Sequence, residues 1–113
     1  MSLDVYLEEA PCPHCGHSDQ VFWANITHNL NRMADKAGIY RCLWRPEEIG
    51  ATTASQIIEP LRIGLEKLKN DRERFEQLNP ENRWGSYASF VPWIEKYLAA
   101  CEEFPDATIR VSR

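Results

Sequence analysis

Apolar residues along the chain change their period several times, and each change marks an element. Near the start, Leu3, Val5 and Leu7 alternate with polar residues, which predicts a strand over 3–9. Pro11, Pro13 and Gly16 then turn the chain, and the short β-branched and aromatic run 20–23 predicts a second strand. From Ile26 the period lengthens. Ile26, Leu30, Met33, Ala34 and Ala37 fall at helical spacing, with Asn25 or Thr27 as the N-cap and Gly38 as the stop. A second short helix or turn over 39–44 ends at Arg45-Pro46.

The run Thr53-Ala54-Ser55-Gln56 has capping-box spacing and opens a helix with the stripe Ile57, Ile58, Leu61, Leu65 and Leu68. Pro60 inside that stripe must kink the helix or shift its start. Asp71 caps a further turn through Phe75 and Leu78, stopped by Asn79-Pro80. A loop carrying Trp84 follows. Ser86 starts the last helix, with Tyr87, Phe90, Val91, Ile94, Leu98 and Cys101 on one face and Pro92 admissible only in the first turn. In 107–112, Ile109 and Val111 alternate with polar residues as in a strand. The expectation is one α+β domain over 1–113: a small three-stranded sheet (N-terminal, second and C-terminal strands) packed against three or four helices.

Composition excludes more than it selects. An apolar fraction of 43% and a charged fraction of 27% over 113 residues describe an ordinary globule. A net charge of −4 argues against gripping nucleic acid by bulk electrostatics. The opening residues include Asp4, Glu8 and Glu9 and lack an apolar core, so neither a signal peptide nor a membrane span is expected. A cytoplasmic, reducing setting follows, in which four cysteines do not make a disulfide framework.

The densest candidate chemistry is Cys12-Pro13-His14-Cys15-Gly16-His17. Two thiols at this spacing present half of a zinc tetrahedron. Pro13 stiffens the turn, and Gly16 supplies the positive φ that aims amides at sulfur. His28 lies twelve residues beyond Cys15, but Arg32, Met33 and Ala34 stand where a finger needs its last histidine. A finger is excluded, and the candidate is a structural zinc held by Cys12, Cys15 and His28, with a further ligand such as Cys42 or His17, beside unliganded surface turn cysteines as the plainer role. The same dithiol resembles that of thioredoxin-like disulfide oxidoreductases, with Cys12 as nucleophile and Cys15 as resolving thiol. Against that reading, residues after Cys15 do not form an amphipathic helix pattern. Cys101, on an apolar helix face, is expected to be a buried, inert thiol.

The segment Asn25-Ile26-Thr27-His28-Asn29-Leu30 packs amides, a hydroxyl and an imidazole at a strand–helix junction. Asn25, Thr27 and Asn29 are therefore candidate ligand-binding groups, beside helix capping as their plainer role. Trp84, between Arg83 and Gly85, is the tryptophan most expected to be exposed and is a fourth candidate. Tyr40, Trp44 and Trp93 line a stacking pocket or, more simply, belong to the core. No phosphate-binding glycine loop, nucleophile elbow or metalloprotease helix is present.

Four blocks, Asn25-Ile26-Thr27-His28-Asn29-Leu30, Ala37-Gly38-Ile39-Tyr40, Arg83-Trp84-Gly85 and Val111-Ser112-Arg113, together resemble a group of small bacterial and phage proteins without an assigned activity. The resemblance implies a single compact unit in a bacterial or viral setting and supplies no catalytic residues. The chain reads as a non-catalytic binding domain for a small polar molecule or a protein partner, including a second copy of itself. The competing readings are the thiol–disulfide enzyme and a phage nucleotide-sequestering protein that uses Trp84 and the polar cluster.

Overall fold

Strands β2 (Gln20–Thr27) and β3 (Thr108–Ser112) flank β1 (Ser2–Glu8) in a three-stranded antiparallel sheet. The computed structural model describes residues 2–9, 13–16 and 18–113. Leu3, Val5 and Leu7 of β1 are fully buried, and the register sets them opposite Ile26, Ala24 and Phe22 of β2. Val111 and Ile109 of β3 face Val5 and Leu7 from the other side. This is the inner face of the sheet, and the helices cover it.

The helices are α1 (Asn31–Lys36), α2 (Tyr40–Trp44), α3 (Ile58–Asn70), α4 (Arg72–Glu76) and α5 (Tyr87–Glu103). The expected α+β class is present, with a count above the expected three or four because two of the five have only five residues each. Strand β2 runs on to Thr27, so Ile26 points into the sheet core and does not begin a helix. Its inward partners Phe22 and Ala24 differ so much in size that alternation in this stretch is faint.

Both prolines inside helices are absorbed locally. Gln56 accepts from the amides of Thr52 and Thr53 at 2.7 and 2.9 Å, which closes a 3-10 turn over Ala54–Gln56. The regular helix starts only at Ile58, so Pro60 falls in its first turn, where a missing N–H costs nothing. Pro92 lies deeper in α5 than the first turn to which the sequence reading confined it. It is tolerated because Ala88, one turn back and left without that amide, is exposed to water.

Glycine 64 sets the closest approach in the helical layer. A Cβ at this position would lie 2.2 Å from Ile39 Cγ2 and 3.2 Å from the Ala37 carbonyl oxygen. The bare backbone thus lets α3 press on the Ala37–Ile39 turn. Gly64→Ala gains up to about 1 kcal/mol of helix propensity. It collides with a fully buried isoleucine, an overpacking term of about 1–3 kcal/mol. We expect the collision to win, with a lower urea midpoint and unchanged helical circular dichroism.

Candidate functional site

The side of the sheet opposite the helices is open to solvent. Its middle row runs Trp23–Tyr6–Arg110 across all three strands, as the two registers require. Trp23 is 54% exposed. The Arg110 guanidinium stacks on the Tyr6 ring at 3.9 Å, and its Nε bonds Glu8 at 3.1 Å. Asp4 anchors the next row by accepting from the Trp23 indole at 3.2 Å and the Asn25 amide at 2.9 Å. Asn25 also donates to Ser2 Oγ at 2.9 Å. These bonds hold an arginine, a tyrosine and a tryptophan in fixed positions on a flat face.

One end of this face meets the Trp84 loop. Thr27 closes β2, and its hydroxyl accepts from the Asn29 amide at 3.3 Å. Asn29 Nδ2 reaches Asn82 Oδ1 at 3.4 Å and the Trp84 carbonyl at 3.5 Å, while Asn82 Oδ1 also takes the Trp84 N–H at 3.0 Å. Gly85, at φ +89°, sits so close that a Cβ would approach Thr27 Cγ2 to 2.6 Å. Arg83 also takes a positive φ of 64°, which turns the loop outward. Trp84 ends 70% exposed. The fold therefore brings Thr27, Asn29 and Trp84 together, with Asn25 a step along β2.

Among the described residues, the members of the cysteine set are not brought together. Cys12 and His17 lie outside the described residues. Cys15 is exposed in the turn of the β1–β2 hairpin. His28 follows Thr27 at the other end of the ribbon, where Thr27 pairs with Ser2. The eight-residue run of β2 between them spans on the order of 20 Å. This register does not bring His28 to Cys15. His28 instead turns its ring toward the edge of Trp44, centroids 6.2 Å apart, with Nε2 buried. Among the described residues, no group of three or more His, Cys, Asp or Glu side chains is arranged to hold a metal ion. The chain after Cys15 enters β2, so no helix N-terminus faces this thiol.

Cys42 and Cys101 are free and buried in the core. Burial pushes the Cys101 thiol up to about 12 and raises Cys42 in the same direction. Desolvation also raises the Tyr97 phenol, which senses both thiols. Trp44 is core and stacks on Tyr40 at 5.5 Å. Trp93 lies in the aromatic packing against Phe90 and Tyr97 and donates to the Asn25 carbonyl at 3.0 Å. No helix among the described residues is long and apolar enough to cross a membrane.

Trp23, Tyr6 and Arg110 were not singled out by the sequence as site residues. The alternation of β1 does imply an outward Tyr6, but the row appears only when the register is known.

Two outcomes are expected here. Gly85→Ala, with its positive φ and its clash on Thr27, lowers stability by about 1–3 kcal/mol and frees the Trp84 loop, read as faster tryptophan depolarisation. Cys42 and Cys101 hold their protons more tightly folded than unfolded, so their stabilising effect is full below about pH 9 and lost as pH rises beyond it. Urea midpoints measured from neutral to alkaline pH should fall above that value, and less steeply in Cys101→Ala. Compared with known proteins, the chain matches no family model, no curated protein and no solved structure.

Proposed function

We propose that this chain is a non-catalytic binding domain that takes a protein partner on the open face of its sheet. The observation that carries the reading is the Trp23–Tyr6–Arg110 row, with a half-exposed indole held in place by Asp4. Tryptophan, tyrosine and arginine are the residues that concentrate binding energy at protein interfaces. A pre-bonded row loses little side-chain entropy when a partner covers it. Trp84 extends the surface at one end with a second large exposed ring.

A protein partner fits better than a small polar molecule. The groups that would have gripped such a molecule are already engaged within the fold. The Asn25 amide bonds Asp4 and Ser2, the Thr27 hydroxyl accepts from Asn29, and the Asn29 amide bonds Asn82 and the Trp84 carbonyl. What these groups leave to a partner is the apolar and aromatic surface that they hold in place.

A photo-crosslinking amino acid placed at position 23 or 84, in the cells that make the protein, tests the reading. We expect a discrete protein adduct at both positions and none at the exposed helical position 96. Trp23→Ala, at a partly exposed site, should change stability by less than about 1 kcal/mol while removing the adduct formed through position 84. Equal adducts at all three positions, or none at 23 and 84, would sink it.

A further inference from the structure

The crease between α3 and the α1–α2 turn has two chemically different ends. At one end, Tyr40, Cys42, Ile49 and Pro60 line a cleft of about 430 Å³. Ile49 is 43% exposed, and Ile63, one turn beyond Pro60 on α3, is 47% exposed. Among the described residues these are the two large aliphatic side chains left most open to water. Ile49 lines the cleft, and Ile63 stands one helical turn from Pro60 of the first cleft and one turn from Lys67 of the second. At the other end, Lys36, Lys67 and Arg74 line a second cleft of about 380 Å³ over the buried Phe75. Gly38 joins the ends: it lines the first cleft, and a Cβ on it would lie 3.7 Å from Lys67 Nζ of the second.

Charge separates the ends. The exposed arginines near the apolar cleft are matched, since Glu48 lies 3.8 Å from Arg41 and 3.6 Å from Arg45. Lys36 and Lys67 have no acidic partner within ion-pair distance among the described residues, and Arg74 has only Asp71, at 3.8 Å and exposed. Asp35 and Asp71 are the acids that line the two clefts, against three cations at one end. A local positive field thus stands in a chain whose net charge is −4. Its position beside an aliphatic groove defines what fits.

We infer that the α3 crease docks an acidic amphipathic segment of a partner protein. Its apolar side chains fill the Ile49–Pro60–Ile63 end, and its carboxylates meet Lys36, Lys67 and Arg74. A helix offers this pattern at i, i+3, i+4 and i+7. Carboxylates are the natural complement because each lysine there is a desolvatable, unpaired cation. This surface belongs to the helical layer and is separate from the sheet face.

Display selection tests it with random peptides several helical turns long as the probe. Selection is against the whole protein, with counter-selection on Ile63→Asp and Lys67→Glu. Both positions are exposed, so both variants should melt as the parent does. We expect enriched peptides with apolar residues at helical spacing beside Asp or Glu. Binding measured by fluorescence anisotropy should weaken about tenfold or more in either variant. High salt should weaken binding to the parent and shrink the Lys67→Glu effect, leaving that of Ile63→Asp. Trp23→Ala should leave this binding unchanged, which separates its failure from failure of the sheet-face reading. Enrichment of basic or uncharged peptides, or binding that survives both substitutions, overturns the inference. So does a concentration-dependent dimer that Ile63→Asp dissolves, which would give the crease to a second copy. Oligonucleotide binding lost in Lys67→Glu would give it to nucleic acid and overturn it equally.

Discussion

The strict alternation of β1 is the constraint from which the rest of the molecule follows. Leu3, Val5 and Leu7 have no exposure, and β1 pairs with a neighbour on each side. A slip of one residue would carry all three side chains to water and bring Asp4 and Tyr6 inside. The same parity fixes the backbone bonds. Ile109 donates away from β1, to the Thr52 carbonyl at 2.9 Å, so Thr108 and Arg110 are the β3 residues that bond β1. By the same alternation the Asn25 carbonyl of β2 points outward, which is where the Trp93 indole finds it.

Both sheet edges are closed by this arrangement, each with a different device. The 52–54 segment adds a short antiparallel bridge to β3, with Ala54 donating to Ala107 at 2.9 Å as well. On β2, an indole from α5 caps one carbonyl of the edge. That bond ties α5 to the edge of the sheet. Phe22 of β2 then stacks on Tyr97 at 5.7 Å, and Tyr97 packs against Trp93. The Tyr97 hydroxyl is buried with no hydrogen-bond partner among the described residues, a cost of about 1–3 kcal/mol. The ring area it places at the helix–sheet junction offsets that cost.

Period and capping made much of this legible. The alternations of β1 and β3, the stripe of α3, the Ser86 cap of α5 and the exposure of Trp84 are all visible as patterns within single segments. What stayed hidden depends on pairing between segments. The true end of β2 was masked by Ala24, a small inward residue that breaks the look of a strand. Tyr97, the largest fully buried side chain, was absent from the expected stripe, which ran from Ile94 to Leu98 and passed over it. The supposed partnership of Cys15 and His28 rested on sequence spacing, and the hairpin register places those residues at opposite ends of one ribbon. Of the site, Thr27, Asn29 and Trp84 were legible as candidates, but not that their polar groups would be spent on one another.

Net charge is an average, and this fold shows why an average misleads about surfaces. Carboxylates on the sheet face are already committed: Asp4 to Trp23 and Asn25, Glu8 to Arg110. On the helical layer, Arg72 pairs with Glu76, and Lys69 with Glu95 at 3.2 Å. Pairing of this kind cancels charge locally and leaves the field to the groups without partners. Lys36 and Lys67 are such groups because both sit beside the C-terminal end of α1, where the helix dipole draws cations whether or not an acid is near. The dipole that places them there is too weak and too short-ranged to neutralise them. A helix end can therefore hold positive charge ready on the surface of an acidic protein, next to whatever apolar ground the neighbouring helix exposes.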